Sequence, residues 1–110
     1  PHLLERMDYT YTQRIQLPHW HRFKEDTLPS DYFHRNVFVG FQEDALGIML
    51  KDFIGVDNLQ WGSDYPHPES TFPRSRQILD EILADSTEEE KAKMAGGNAA
   101  RIYHIDYAKN

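Results

Sequence analysis

Residues able to do chemistry concentrate in Leu59-Gln60-Trp61-Gly62-Ser63-Asp64-Tyr65-Pro66-His67-Pro68. A short apolar run leads through a glycine to a carboxylate, then to a proline-bracketed turn carrying an imidazole. An acid just past the C-terminal end of a buried parallel strand is where α/β enzymes place catalytic groups. There Asp64 could ligate a cation or accept a proton. The competing role is turn capping, since Asp after Gly-Ser often accepts from nearby backbone amides. His67 could touch substrate or orient a ligand, or it could be an exposed loop histidine.

Other candidates are weaker. His19-Trp20-His21 has a spacing that puts two imidazoles on one side of a strand. Pro18 precedes it and no apolar strand leads in, so a loop packing Trp20 against a protein surface is expected. Glu43 and Asp44 follow a strand end, where they could face a catalytic rim or favour a helix N-terminus. Arg74 and Arg76 could meet an anionic substrate, although a solvated helix start is the simpler reading. Trp61 is expected to pack in the core. His2, His34 and His104 have contexts that favour structural roles.

The elements that must position Asp64 follow from periodicity. Leu3, Leu4, Met7 and Tyr11 share a helical stripe, giving a helix over about 1–14. Residues 15–28 lack periodicity, and Pro29 suits the first turn of a short helix. Val37-Phe38-Val39-Gly40-Phe41 does not alternate, as expected of a strand covered on both faces. Glu43-Asp44 leads a second helix, with Leu46, Met49, Leu50 and Phe53 on one face and Gly55 as C-cap. Leu59–Trp61 is the next strand, so 37–61 forms a βαβ unit with parallel strands. A third helix spans about 74–84, burying Ile78, Leu79, Ile82 and Leu83. Two overlapping capping boxes, Ser86 to Glu89 and Thr87 to Glu90, open a helix to about 95. Gly96-Gly97 should end it, with Asn98 capping a last small helix.

Three stretches, with a fourth at the end, carry a resemblance to a known family. Leu3-Leu4-Glu5-Arg6-Met7-Asp8 resembles the helix after a sixth barrel strand, and Phe38-Val39-Gly40-Phe41-Gln42-Glu43-Asp44 resembles the seventh strand and its exit. Trp61-Gly62-Ser63-Asp64-Tyr65-Pro66-His67, the most specific, resembles the eighth. Asn98-Ala99-Ala100-Arg101-Ile102-Tyr103 looks like the closing helix. Together they resemble the amidohydrolase-related metal-dependent hydrolases and decarboxylases, in the branch that includes aminocarboxymuconate-semialdehyde decarboxylase. The resemblance implies the C-terminal portion of a (β/α)8 TIM barrel, with residues 1–110 a fragment of that one domain. It implies a divalent metal, usually zinc, with Asp64 as ligand and proton acceptor and His67 beside it. The substrate would be a small carboxylic, aromatic acid or an amide. The family's remaining ligands, a His-x-His pair and middle-strand histidines, have no counterpart in these residues. Tight metal binding by this chain alone is therefore not expected.

Composition bounds the alternatives. The 110 residues carry 12 Lys and Arg against 18 Asp and Glu, a formal charge of −6 with His neutral. That balance disfavours a nucleic-acid surface and an anionic membrane. Cysteine is absent, so no disulfide framework or thiolate metal site exists. No apolar run suits a membrane span, and a cytoplasmic protein is expected. The opening Pro1-His2-Leu3-Leu4-Glu5 reads as the interior of a longer polypeptide. The rival to an enzyme is a non-catalytic structural or oligomerisation piece. Its strand edges would pair with the rest of a barrel or with another copy in a homo-oligomer. A third reading is a small acidic protein-binding module.

Overall fold

The computed structural model describes residues 1–106, which separate into two compact units, one over 1–37 and one from 38 onward. Tyr107 to Asn110 lie outside the described residues.

In the first unit, helix α1 (His2–Arg14) and helix α2 (Pro29–Asn36) are joined by an irregular segment holding one 3-10 turn, Lys24–Asp26. The sequence accounts for this arrangement. Pro29 supplies a first turn that needs no amide donor, and Asp31 returns its carboxylate to the Leu28 amide at 2.7 Å. The Asp8 carboxylate accepts the Ser30 N–H at 2.9 Å, tying α1 to the start of α2. Aromatic side chains anchor the connecting segment. The Phe23 ring stacks on Tyr11 at 4.8 Å and also contacts Tyr32 at 4.8 Å. The Phe23 N–H donates to the Tyr11 hydroxyl at 2.8 Å. Tyr11 is the buried member of the α1 stripe, whereas Leu3 and Met7 are exposed.

The second unit contains the sheet. Strands β1 (Val39–Phe41) and β2 (Leu59–Trp61) pair in parallel, with Val39 opposite Leu59 and Phe41 opposite Trp61. This is the expected βαβ unit, with β1 starting two residues later than its apolar run. Between the strands lie α3 (Ala45–Met49), α4 (Lys51–Ile54) and a 3-10 turn, Val56–Asn58. After β2 come α5 (Ser75–Ile82), α6 (Glu88–Ala92), a π-helical turn over Lys93–Gly97 and α7 (Asn98–Ile102). Phe41, Ile48, Leu59, Leu83 and Met94 form the core, with Val39, Ile54, Val56, Trp61, Leu79 and Ile82 packed around it. The α5 face read from periodicity is the one that packs inward. Among the described residues, no helix is long and apolar enough to cross a membrane.

Two expectations change. The apolar face of residues 46–53 does not enter the core: Leu46 and Phe53 are exposed and Met49 is 80% exposed. The helix breaks at Leu50 (φ −100°, ψ 14°), so α3 and α4 do not share one continuous stripe and Ile48 turns inward instead. Nor does Asn98 cap a new helix. The chain passes through the π turn, where a Cβ on Gly97 would lie 3.0 Å from the Ala92 carbonyl oxygen, tighter than most side chains tolerate. Asn98, 2% exposed, instead donates its side-chain amide to the Val56 and Leu59 carbonyls, each at 2.7 Å.

Of the two overlapping capping boxes, Thr87 to Glu90 forms. The Thr87 hydroxyl accepts the Glu90 N–H at 3.3 Å, and the Glu90 carboxylate accepts the Thr87 N–H at 2.8 Å. The same carboxylate meets Lys51 Nζ at 2.6 Å, joining α4 to α6. The Lys51 hydrogen bond, then the Thr87 backbone amide, hold the Glu90 carboxyl below its ordinary range. The Glu90 hydrogen bond raises Lys51.

Asn98→Ala leaves two carbonyls without their donor and should cost about 2–3 kcal/mol, read as a lower urea midpoint. The Lys51–Glu90 contribution is complete above the ordinary glutamate value of 4.5 and is lost as pH falls through the lower folded value. On the alkaline side it persists below 10.5 and is lost as pH rises through the raised lysine value. Glu90→Gln keeps a cap acceptor but no charge, so its melting temperature should fall less steeply in acid than that of the parent.

Candidate active site

Parallel pairing sends both strands out at the same end of the sheet, and a cleft of about 680 Å³ opens there. Its lining combines the β1 exit, Gln42, Glu43 and Asp44, with Gln60, Trp61, Asp64 and Glu69. Asp64 thus lies at the carboxyl end of the strands and lines the cleft. Its side chain is 53% exposed, in contact with solvent rather than enclosed in the apolar core.

The path from β2 to Asp64 is fixed by backbone and loop contacts. The Gly62 N–H donates to the Phe41 carbonyl at 3.0 Å, extending the ladder by one bond. Asp64 adopts φ 57°, a left-handed conformation that Asp tolerates better than most residues. The loop then folds back: the Thr71 N–H donates to the Ser63 carbonyl at 3.0 Å. Thr71 is 1% exposed, and its hydroxyl lies 2.9 Å from the Ser75 hydroxyl. The peptide bonds before Pro66 and Pro73 are cis. Thr71 closes the loop that carries Asp64, a role no sequence pattern announced, because a buried threonine in a proline-rich turn looks like any loop residue.

The structure brings His67 to Asp64 but not into the cleft lining. His67 Nδ1 is 3.6 Å from Asp64 Oδ2, and the His67 N–H donates to the Asp64 carbonyl at 2.8 Å. The Glu69 N–H donates to Nδ1 at 3.3 Å. An Nδ1 that accepts leaves the proton of a neutral imidazole on Nε2. That tautomer presents no ring N–H to the Asp64 carboxylate, so the hydrogen bond joining the two residues is the backbone one.

Glu43 and Asp44 both line the cleft. Asp44 does not cap α3 with its side chain; it accepts the Gln42 N–H at 2.9 Å and shapes the β1 exit. Arg74, just before α5, and Arg76, in its first turn, are outside the cleft lining, and Arg76 is 3.6 Å from Asp80. Trp61 packs against the core as expected, and its buried indole N–H has no acceptor among the described residues. In the first unit, His19 and His21 are exposed loop residues, and the Arg14 guanidinium lies 5.7 Å from the Trp20 ring.

The sequence profile of the amidohydrolase family matches residues 45–105. The chain belongs to the amidohydrolase family. The match includes Asp64, His67 and the closing helix, whereas the resembling stretches at 3–8 and 38–44 lie outside it. No curated protein matches the chain.

The donor set of this amidohydrolase chain does not make a complete metal centre. Among the described residues, no group of three or more His, Asp or Glu side chains is placed to hold a metal ion. Asp64 and His67 offer two donors, where zinc sites take three or four protein ligands. Metal analysis of the purified chain should therefore give far less than one zinc per chain; stoichiometric zinc would reject that reading.

Proposed function

We propose that this chain supplies the last-strand acid of a metal-dependent hydrolase or non-oxidative decarboxylase. Its parent would be a (β/α)8 barrel of which residues 1–110 form the C-terminal portion. The observation that carries this reading is Asp64, half-exposed in a cleft at the shared carboxyl end of two parallel strands, within the amidohydrolase match.

Two physical features support it. Among the described residues β1 and β2 form a two-stranded sheet. Parallel strands are normally covered on both faces and paired on both edges, as in a closed barrel. Among the described residues, the cleft lining also carries Glu43, Asp44, Asp64 and Glu69 and no Lys, Arg or His. A small carboxylic acid would be repelled from such a lining unless a cation offset the charge, which fits metal-dependent chemistry.

A divalent metal, zinc in this proposal, would polarise a substrate oxygen or lower the pKa of a bound water. Of the residues here, Asp64 would be its ligand, with further ligands supplied from outside this chain. Asp64 would accept a proton from a water or hydroxyl in the cleft, and His67, whose backbone N–H donates to the Asp64 carbonyl, helps fix the turn that presents it. The substrate proposed is a small aromatic carboxylic acid or an amide. The rival reading, a non-catalytic oligomerisation piece, draws on the same open strand edges.

In the intact enzyme, Asp64→Asn should reduce kcat by at least about a hundredfold, in line with the loss of a general base, while leaving the circular dichroism spectrum unchanged. Near-normal turnover with normal metal content would remove Asp64 from the reaction.

A further inference from the structure

A second concave site lies wholly within the first unit, and the Asp64 reading does not use it. It has a volume of about 570 Å³ and is lined by Arg6, Tyr11, His19, Trp20, His21 and Phe23, with small flanking contributions. That volume falls in the range of small-molecule sites, roughly 300–1,000 Å³. We infer that it binds a planar aromatic ring carrying a carboxylate.

The walls argue for the ring. Tyr11 and Phe23 are stacked with planes 13° apart, and the Phe23 amide is tied to the Tyr11 hydroxyl. These aromatic surfaces are therefore set in place before any ligand arrives. Phe23 is nonetheless partly exposed, leaving apolar area that a flat ligand would cover. Trp20 adds a third aromatic side chain, with the Arg14 guanidinium against its ring. Offset or edge contacts among rings add about 0.5–1.5 kcal/mol per pair beyond area burial.

The charge argues for the carboxylate. The chain as a whole is at −6, yet this lining holds one arginine and two histidines and no Asp or Glu. Arg6 lies on exposed α1 surface, its guanidinium 5.1 Å from the Tyr9 ring. Tyr9 is outside the lining, so a side-chain rotation would bring the guanidinium edge to a carboxylate, which it can hold in bidentate fashion. The Asp8 carboxylate, which accepts the Ser30 N–H, is outside this lining. His-x-His, whose spacing suggested a metal pair, here contributes two N–H donors to an anion site instead.

The test is calorimetric titration of the full chain with 2-naphthoate, alongside 2-naphthamide and acetate. Saturable 2-naphthoate binding with a Kd of roughly 1 mM or tighter is expected, with both controls weaker by about tenfold, the scale of one charge-assisted hydrogen bond. Arg6→Gln should weaken naphthoate about tenfold, and this exposed substitution should leave the circular dichroism spectrum unchanged. Trp20→Leu should weaken naphthoate and naphthamide alike. No binding, equal binding of acid and amide, or binding insensitive to Arg6→Gln would overturn the assignment. Binding abolished by Asp64→Asn would also overturn it, by placing the ligand in the strand-end cleft, whereas failure of the Asp64 reading in turnover leaves this titration unaffected.

Discussion

The second unit depends on a single carboxamide. Asn98 spans from the start of α7 to the Val56 carbonyl, at the start of the 3-10 turn before the strand, and to the Leu59 carbonyl, the first one in the strand, and both its N–H groups are spent there. A buried amide left unpaired would cost more than the bonds gain, so the contact fixes both ends of the segment at once. With Met94 fully buried beside it and Leu59 almost so, β2 is held at its entry. Its exit is held by the Gly62 bond to β1 and by the Thr71 loop closure. Asp64 inherits its position from those two anchorages, neither of which touches it.

Polar and apolar forces divide the work by location. Apolar packing organises the centre, where α5 and the π turn cover the strands. Ion pairs work at the periphery. Lys51 with Glu90 joins α4 to α6, and Lys93 reaches Asp57 at 3.2 Å and Glu89 at 3.3 Å. Surface pairs of this kind contribute modestly, so the burial of Leu59, Leu83 and Met94 outweighs them in stability. Lys51–Glu90 and Lys93–Asp57 nonetheless join segments far apart in sequence.

Periodicity was a good guide where one element buries one face. The α5 stripe of Ile78, Leu79, Ile82 and Leu83, the parallel strands around 39–41 and 59–61, and the Thr87–Glu90 capping box were all legible. It failed where tertiary geometry overrode local pattern. Leu46, Met49 and Phe53 have helical spacing, but the break at Leu50 rotated them away from the core. Asn98 stands after two glycines, where a cap is the natural reading, and the glycines instead permit a wide turn that frees its side chain for β2. Asp64 was visible because strand, glycine and acid fall in sequence. Thr71 and Glu69 were not, because loop closure and cleft lining depend on how a proline-rich segment returns on itself.

The left-handed backbone at Asp64 also narrows which sequences can descend from this one. Asparagine and glycine occupy that conformation at little cost, whereas valine or isoleucine would be strained there whatever the chemistry around them. If the role proposed for Asp64 were lost, Asn or Gly would be favoured at position 64, so the shape of the turn would outlast the acid. Such a substitution in a relative would leave the turn intact, whereas a branched aliphatic residue there would signal that the loop itself had been rebuilt.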